Sequence, residues 1–425
     1  MNKILGCIAD DFTGASDAAS FLQKSGMRTM LINEIQESAV IKDVDAVVIA
    51  LKSRTQEKHQ AVKDTLEAIK WLEKKGVEKF YFKYCSTFDS TREGNIGPVA
   101  DAIMEYLKVE YTILCPALPV NERIVKDGCL YVKGVKLDES PMKDHPLTPM
   151  WDCRIKNLIE AQSNYEAYEL TGSMLEKEQL EIKDWIAEKA NGKKPFYIIP
   201  DYVTDEDGRK IAETFGKLKF LTGGSGILEH LAKYMLDHKQ ENCIEKMKAN
   251  NAPAVILAGS CSVATLGQIE DYREKGGMCC HLDPIALSEG KQTKENIEEI
   301  ILNNQDKTIL VYSSDKAENV SKVQQLGRER IASLIENTLS GIAADLVKKG
   351  YGRIIVAGGE TSGAVTKALG YDVFKVGEAV APGVPVMMPI DNEKIRLVLK
   401  SGNFGQTDFF TRALKITQGE KNERN

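Results

Sequence analysis

Three turns rich in glycine and hydroxyl side chains occur in the C-terminal half of the chain, each directly after an apolar run. A strand, a glycine turn and a helix N-terminus form an anion site, because free backbone N–H groups point outward at the positive end of the helix dipole. One such turn alone is often only a tight turn. Turns that follow parallel strands meet at one edge of a sheet, so three of them predict a site for the phosphates of a nucleotide. The turns are residues 259–262 (Gly-Ser-Cys-Ser), 358–363 (Gly-Gly-Glu-Thr-Ser-Gly) and 401–405 (Ser-Gly-Asn-Phe-Gly).

Two familiar nucleotide motifs are absent from the sequence. It contains no Gly-x-x-x-x-Gly-Lys-Ser/Thr, which excludes a P-loop. It also lacks Gly-x-Gly-x-x-Gly at a strand–helix turn, which disfavours a dinucleotide site. The phosphate site must therefore be built from the N–H and hydroxyl donors of the three turns.

Asp10 and Asp11 end the first apolar run and precede Thr13 and Gly14 at a predicted helix start. Side chains alternate along a strand, so these two carboxylates are not expected to point the same way. We expect one of them to act as a catalytic base or to bind a metal, and the other to cap the helix through its N–H groups. Capping by both is the alternative, and the sequence does not assign the two roles.

Polar residues also follow the next three apolar runs of the N-terminal half. Basic side chains at strand ends suit a carboxylate, and acid, hydroxyl and amide groups suit the hydroxyls of a sugar. Any single basic residue here would otherwise be a solvated surface charge, but the combination favours a small polyol acid as ligand. The candidates are Arg54, Lys83 and Arg92 for the carboxylate, and Asp89, Thr91 and Asn121 for hydroxyl groups.

The elements that must position these residues alternate between strand and helix. This rhythm predicts an α/β protein with two domains, each a mainly parallel sheet flanked by helices, and with an active-site cleft between the domains. A polar, charged stretch at 238–251 predicts the boundary, so residues 1–240 form the first domain and 250–425 the second. Within the first domain we expect a helix over 98–108 opened by Pro98, and a hairpin over 129–137.

The composition excludes several classes of protein. The chain has 425 residues, 43% hydrophobic and 28% charged, which is typical of a soluble globular protein of two or three domains. The net charge of −6 and the lack of a basic tract argue against nucleic acid as a partner. The N-terminal apolar run is interrupted by aspartates too early for a signal peptide, and no run is long enough to span a membrane. We therefore expect a cytoplasmic protein with no membrane partner.

The nine cysteines and five histidines show no pattern of a disulfide framework or a zinc motif. There is no CxxC pair, no HExxH and no Cys/His pairing, so no zinc site is expected, and reduced thiols are expected. The apolar late strands leave homo-oligomerisation open, because they could pair subunits or only fill a core.

Five stretches, in this order along nearly the whole chain, resemble the signatures of the four-carbon acid sugar kinase family. The family implies an N-terminal domain that binds a sugar acid and a C-terminal domain that binds ATP. The residues around 115–121 and 142–150 most resemble the branch of the family that acts on 3-oxo-tetronates. The matching stretches are residues 9–15, 82–91, 94–97, 357–363 and 400–405.

The resemblance also implies roles for individual residues. Asp10 or Asp11 would orient or deprotonate the attacking hydroxyl, and Mg²⁺ would bridge the phosphates of ATP, with its protein ligands unknown. His145 would join the substrate-binding set of Arg54, Lys83, Asp89, Thr91 and Asn121. ATP would contact a set in the three turns, namely Ser260, Gly358, Gly359, Glu360, Thr361 and a glycine of the last turn, Gly402 or Gly405.

The predicted activity is ATP-dependent phosphorylation of the terminal hydroxyl of a four-carbon sugar acid, a 3-oxo-tetronate first, with D-threonate or D-erythronate as alternatives. Two other classes remain open. A phosphatase with an aspartyl nucleophile would prefer Asp-x-Asp spacing, whereas Asp10 and Asp11 are adjacent. A non-catalytic sugar-acid sensor would leave the three phosphate-type turns unexplained.

Overall fold

The computed structural model describes residues 4–144, 148–190, 195–236, 247–313 and 328–419. The chain divides into two compact units, Met1–Ile244 and Glu245–Asn425. Each unit is a mainly parallel sheet flanked by helices, so the predicted α/β class is confirmed. Among the described helices, none is both long enough and apolar enough to cross a membrane.

The sheet of the first unit is parallel throughout, in the order β2-β3-β1-β4-β11-β5-β10-β9. The chain runs from β1 to one side and then returns to the other side with β4, so the carboxyl end of β1 is the point where ligands bind in folds of this kind. The strands are β1 (Leu5–Ala9), β2 (Thr29–Asn33), β3 (Ala46–Ala50), β4 (Lys79–Lys83), β5 (Tyr111–Cys115), β9 (Ala167–Leu170), β10 (Phe196–Pro200) and β11 (Phe220–Gly223).

A small antiparallel sheet, β6-β7-β8, interrupts the alternation in the first unit. Its strands are β6 (Arg123–Lys126), β7 (Cys129–Val132) and β8 (Val135–Lys136), and β7 with β8 forms the predicted hairpin. Short 3₁₀ turns cover Pro119–Asn121, Leu137–Glu139 and Pro141–Asp144. The helices are α1 (Phe12–Lys24), α2 (Lys58–Lys74), α3 (Ile96–Leu107), α4 (Ile155–Glu160), α5 (Gly172–Leu175), α6 (Gln179–Ala190), α7 (Asp205–Phe215) and α8 (Gly226–Met235).

The prediction that Pro98 opens a helix was wrong. Helix α3 begins at Ile96, after Asn95 at its N-cap, and Pro98 is its third residue. Proline is tolerated there because the first N–H groups of a helix have no intrahelical acceptor. Strand β9 was not predicted from the sequence; its two end residues are buried, its two middle residues are half-buried, and it lacks a long apolar run.

The sheet of the second unit has the order β13-β14-β12-β15-β18-β17-β16. It is parallel from β13 to β18, whereas β17 runs antiparallel to both of its neighbours. The carboxyl end of β12, between β14 and β15, again marks the point where the chain changes direction in the sheet. The strands are β12 (Ala254–Ala258), β13 (Met278–His281), β14 (Ile309–Tyr312), β15 (Arg353–Ala357), β16 (Val373–Ala381), β17 (Val384–Pro389) and β18 (Arg396–Lys400).

The helices of the second unit flank this sheet. α14 packs against β15 and β16, and its Phe409 and Phe410 lie in the buried core with Ile355 and Val386. The central strands β12 and β18 are buried at every position, as expected for strands covered on both faces. The helices are α9 (Val263–Glu274), α10 (Pro284–Ser288), α11 (Lys294–Leu302), α12 (Arg328–Lys348), α13 (Gly359–Leu369) and α14 (Phe409–Gln418).

Candidate functional site

The first cluster lies at the carboxyl end of β1 in the first unit. Ala9 pairs with Ala50 of β3 and with Lys83 of β4, so the three strands end at the same level. Asp10 follows directly, and its N–H donates to the carbonyl of Lys83 (3.0 Å). The N–H of Arg54 donates to the carbonyl of Asp10 (3.2 Å), which brings the loop after β3 onto the end of β1.

Arg54 joins the two aspartates that the sequence singled out. Its Nε and Nη2 each donate to one oxygen of Asp10, both at 2.9 Å. Its Nη1 lies 3.0 Å from Oδ2 of Asp11. The Asp10 side chain is only 5% exposed and that of Arg54 only 23%, so both charges are largely removed from water and each requires the other.

Asp11 takes the capping role. Its backbone is extended (φ −150°, ψ 165°), and its Oδ1 accepts a hydrogen bond from the N–H of Gly14 (2.5 Å) at the start of α1. Burial raises the pKa of Asp11 above its ordinary value, against the opposing charge of Arg54, and the neighbouring Asp10 raises it further. The side chain of Asp11 is 32% exposed, against 5% for that of Asp10, so a ligand can reach it more easily.

A small polar cavity opens beside Asp10 and Arg54. Three predicted site residues, Asp10, Arg54 and Asp89, line it. Its other lining residues are Ser53, Phe82, Ser90, Asn95 and Ile96.

Asn95 is a functional candidate that the sequence reasoning did not single out. Its Nδ2 donates to the carbonyls of Ser53 and Gln56, both at 2.8 Å, and it is buried. These bonds hold the loop that carries Arg54. The signal was present, because Asn95 lies in one of the family-like stretches, but only the fold shows which loop it holds.

Other predicted substrate residues do not line the cavity. Lys83 is buried, donates to the carbonyl of Tyr84 (3.1 Å) and lies 3.8 Å from Asp17. Thr91 accepts a hydrogen bond from the N–H of Glu93 (3.3 Å). Asn121 lies in the 3₁₀ turn Pro119–Asn121. His145 lies outside the described residues.

The second cluster lies in the second unit, where the three turns meet. The N–H groups of Gly259 and Ser260 donate to the carbonyl of Ala357 (3.0 and 3.2 Å), and the N–H of Gly358 donates to the carbonyl of Lys400 (2.9 Å). From the first turn, the Ser262 hydroxyl donates to the carbonyl of Gly402 (2.7 Å). The 358–363 turn is therefore bonded to β18, and the 259–262 and 401–405 turns are bonded to each other.

Helix α13 presents free N–H groups in this cluster. Its first hydrogen bond runs from the N–H of Ser362 to the carbonyl of Gly358 (2.8 Å), so the N–H groups of residues 359–361 have no intrahelical acceptor. Gly359 and Glu360 are exposed, and a Cβ built on Gly359 would meet no atom within 4 Å. The open space beside Gly359 is therefore at the positive end of the helix dipole.

Close packing explains several of the other small residues. A Cβ on Gly259 would collide with the Thr361 hydroxyl, and one on Gly358 would lie only 3.0 Å from it. A Cβ on Gly402 would collide with the Ser260 hydroxyl. Gly358 also has a φ of 134°, which side chains rarely adopt. The Thr361 side chain thus packs inward, and Gly402 lies against the first turn.

The last turn is held from beneath by two side chains. Lys400 is 1% exposed, and its Nζ donates to the Thr265 hydroxyl (3.0 Å) and to the carbonyls of Ser401 (3.2 Å) and Gly402 (2.8 Å). Burial lowers the pKa of Lys400 to about 8.

Gln268 is the other side chain that holds the last turn. Its Nε2 donates to the carbonyl of Gly405 (3.1 Å) and to those of its two neighbours in the chain. Gly405 has a positive φ of 84°, and a Cβ there would strike the ring of Phe409. Gly405 thus shapes the turn against α14.

Comparison with known families identifies the two units. Residues 5–231 match the family of sugar-binding N-terminal domains, and residues 255–410 match the family of nucleotide-binding C-terminal domains. The chain is therefore a two-domain protein that pairs a sugar-binding unit with a nucleotide-binding unit, as the motif resemblance predicted.

Curated relatives narrow this class to a single family. The chain is 40% identical to a 3-oxo-tetronate kinase of Brucella melitensis over 422 residues, which cover 98% of this chain and 96% of the relative. It is also 40% identical to the 3-oxo-tetronate kinase of Haemophilus influenzae over 412 residues, 96% of this chain and 98% of the relative. The chain belongs to the family that contains these 3-oxo-tetronate kinases.

Solved structures share the fold. A crystal structure of a Haemophilus influenzae protein superposes with a TM-score of 0.86 at 38% identity, covering 97% of this chain and 100% of the other. One of a Salmonella typhimurium protein superposes with a TM-score of 0.90 at 36% identity, covering 97% and 99%. The Salmonella protein has the provisional name of a tRNA synthase, which the curated relatives reported above do not share.

Proposed function

We propose that this chain is an ATP-dependent kinase that phosphorylates the terminal, C4 hydroxyl of a four-carbon sugar acid, with 3-oxo-tetronate as its substrate. The observation that carries the proposal is the presence of two complementary sites in one chain. The first unit has a small polar cavity beside a carboxylate–guanidinium cluster, and the second has a cradle of three turns with free N–H groups. The activity named for relatives at 40% identity requires both kinds of site.

In the first unit, we assign the base to Asp11. Its raised pKa and its 32% exposure suit a group that must accept a proton, whereas Asp10 is 5% exposed and held by two bonds from Arg54. Arg54 lines the cavity and keeps the two carboxylates together, because its guanidinium is bonded to both. Asp89 and Asn95 would bond the hydroxyl and oxo groups.

In the second unit, the N–H groups of residues 359–361 would hold phosphate oxygens of ATP, with the Ser260 hydroxyl beside them. Mg²⁺ would neutralise charge on the phosphates. The three turns contain one acidic residue, the exposed Glu360, and one carboxylate together with phosphates and water is a usual set of Mg²⁺ ligands.

The transfer requires positioning and charge neutralisation more than covalent chemistry. The C4 oxygen of the acid forms a bond to the γ-phosphorus of ATP as the bond to the bridging oxygen breaks. ADP leaves with that electron pair, and Asp11 accepts the hydroxyl proton. A positioned base of this kind typically contributes about 10²–10⁴-fold to the rate.

The test is ADP production by the purified chain with Mg²⁺–ATP and each of 3-oxo-tetronate, D-threonate and D-erythronate. We expect turnover with 3-oxo-tetronate far above the rate without an acceptor. Phosphorus NMR of the product should show a phosphate ester coupled to the two C4 protons.

Three outcomes would contradict the proposal in different ways. Turnover with threonate or erythronate alone would retain the kinase and change the substrate. Release of phosphate from a sugar phosphate without ATP would indicate the phosphatase. Saturable binding of the acid with no ADP formed would indicate the sensor.

A further inference from the structure

A second cluster of reactive side chains lies in the first unit and lines no part of the cavity beside Asp10. It consists of Cys129 at the start of β7, Asp138 in the 3₁₀ turn after β8, and Asp152 with Cys153 just before α4. Backbone bonds bring these segments together, because the N–H of Leu130 donates to the carbonyl of Cys153 (2.8 Å). The two cysteines are 24 positions apart, which is why no short motif in the sequence revealed them.

The ligand atoms of Asp138, Asp152 and Cys153 lie close together, and the thiol of Cys129 adjoins that of Cys153. The Sγ atoms of Cys129 and Cys153 lie 2.8 Å apart, and Cys153 is 6% exposed. One carboxylate oxygen each of Asp138 and Asp152 and the Sγ of Cys153 all lie within 4.8 Å of one another. Two acids and the Cys153 thiol are therefore gathered at one place, with the Cys129 thiol beside Cys153, and all but Cys153 are half-buried.

One member of the cluster is unpaired. The Oδ1 atom of Asp138 is buried and has no hydrogen-bond partner among the described residues. A buried polar atom without a partner costs about 1–3 kcal/mol in proteins, so its retention points to a missing partner. Asp152 accepts from the N–H of Arg154 (2.8 Å) and from Nδ2 of Asn157 (2.7 Å), yet each of its oxygens retains a second lone pair.

We propose that Cys129, Cys153, Asp138 and Asp152 bind a zinc ion. Thiolates select zinc over magnesium or calcium, which prefer oxygen ligands alone. Four donors of sulfur and oxygen match the tetrahedral coordination of structural zinc, with Zn–S near 2.3 Å and Zn–O near 2.0–2.2 Å. Binding requires the two thiols to lose their protons and to separate to about 3.8 Å, the sulfur–sulfur distance of that tetrahedron.

The ion would tie together both ends of residues 138–152. That segment includes His145, which the sequence resemblance places among the substrate-binding residues. The ion is thus structural and stabilises the small sheet β6-β7-β8 and the approach to α4. The site does not depend on the proposed kinase activity.

The test measures zinc directly. The full chain, purified under reducing conditions and stripped with a chelator, is titrated with Zn²⁺ against a chromophoric zinc indicator, and the metal content of untreated protein is measured by mass spectrometry. We expect one zinc per chain and a rise in the melting temperature on adding Zn²⁺. Replacement of zinc by Co²⁺ should give thiolate-to-cobalt charge-transfer absorption.

Three variants and one control assign the ligands. Cys129→Ser, Cys153→Ser and Asp138→Asn should each weaken zinc binding by more than the roughly 10–100-fold that follows loss of an outer-shell partner. Cys279→Ser, which changes a half-buried cysteine of β13, should bind zinc normally. If a serine variant does not fold, Asp138→Asn still tests the site, because it retains both thiols.

Two results would overturn the proposal. One is failure of the native chain to bind zinc, or zinc binding by Asp138→Asn that is as tight as that of the native chain. The other is recovery of Cys129 and Cys153 from the reduced preparation as a disulfide that binds no metal, which would assign the pair to thiol oxidation instead.

Discussion

Arg54 forms a two-point ion pair with Asp10, in which Nε and Nη2 each lie 2.9 Å from a different carboxylate oxygen. The third nitrogen of the guanidinium lies 3.0 Å from Asp11. One guanidinium therefore contacts two adjacent carboxylates at the end of β1, beside the cavity.

Substitution Arg54→Met should destabilise the protein and abolish activity. It leaves the buried Asp10 without its partner, which typically costs about 3–5 kcal/mol. The double variant Asp10→Asn with Arg54→Met removes both charges and should recover much of the melting temperature. Activity should not return with it, because Asp11 then lacks the guanidinium that positions it. Full activity in the stable double variant would show that Arg54 has only a structural role.

Asp10→Asn and Asp11→Asn should differ in their effects. Asp11→Asn removes the proposed base, and we expect kcat to fall by about 10²–10⁴-fold with little change in KM for ATP. The pKa of Asp11 is raised, so kcat of the native chain should fall as pH decreases through a value above that of an ordinary carboxyl group. Steady-state kinetics across pH would measure this decrease, which is the acidic limb of the pH–rate profile.

The acidic limb should be absent from the residual activity of Asp11→Asn. The pH–rate profile of Asp10→Asn should retain the acidic limb, with a lower kcat, because Asp11 remains. If the two variants exchange these behaviours, the base is Asp10.

Much of this arrangement was accessible from the sequence. The apolar runs predicted the parallel strands. The positions of the glycine turns predicted that the three turns meet in the second unit, because turns after parallel strands share an edge of the sheet. The assignment of Arg54 to a substrate carboxylate missed its bonds to Asp10 and Asp11. Those contacts depend on β1 and β3 being neighbours, which no local pattern states. The antiparallel direction of β17 could likewise not be predicted, since a buried strand has the same apolar pattern in either direction.

Asn95→Ala should weaken binding of the acid without affecting ATP. The loss of two hydrogen bonds to the carbonyls of Ser53 and Gln56 frees the loop that carries Arg54. We expect KM for the acid to rise about tenfold, corresponding to roughly 1.4 kcal/mol, and KM for ATP to remain unchanged. Asn304→Ala, which removes one exposed hydrogen bond in the second unit, is the control. Equal changes in both KM values would indicate general loosening of the fold instead.

Lys400 should make stability depend on pH in the alkaline range. Burial lowers its pKa to about 8 in the folded protein, against 10.5 for an ordinary lysine. The unfolded chain therefore binds more protons between these values, so this residue's contribution to stability is unfavourable below pH 8 and is relieved as pH rises toward 10.5. Denaturant unfolding of the native chain and of Lys400→Met across this range would isolate the effect.

The free energy of unfolding of Lys400→Met should lack this increase with pH, since other groups titrate alike in both proteins. The variant should also raise KM for ATP, because the carbonyls of Ser401 and Gly402 lose a donor. If the free energies of unfolding of the native chain and of Lys400→Met differ by the same amount at every pH, the pKa of Lys400 is not lowered.

Gly359→Ala tests the nucleotide cradle most directly. A Cβ at this position meets no protein atom within 4 Å, and residue 359 begins a helix, where alanine is favoured over glycine by roughly 0.5–1 kcal/mol. The variant should therefore fold at least as stably as the native chain. The added methyl group would occupy the space where a phosphate must approach the N–H groups of residues 359–361. We thus expect KM for ATP to rise about tenfold or more while the melting temperature holds or increases.

Gly363→Ala, one turn later in the same helix and equally open, should gain the same stability with normal KM. If both variants bind ATP normally, the phosphates do not lie at the start of α13.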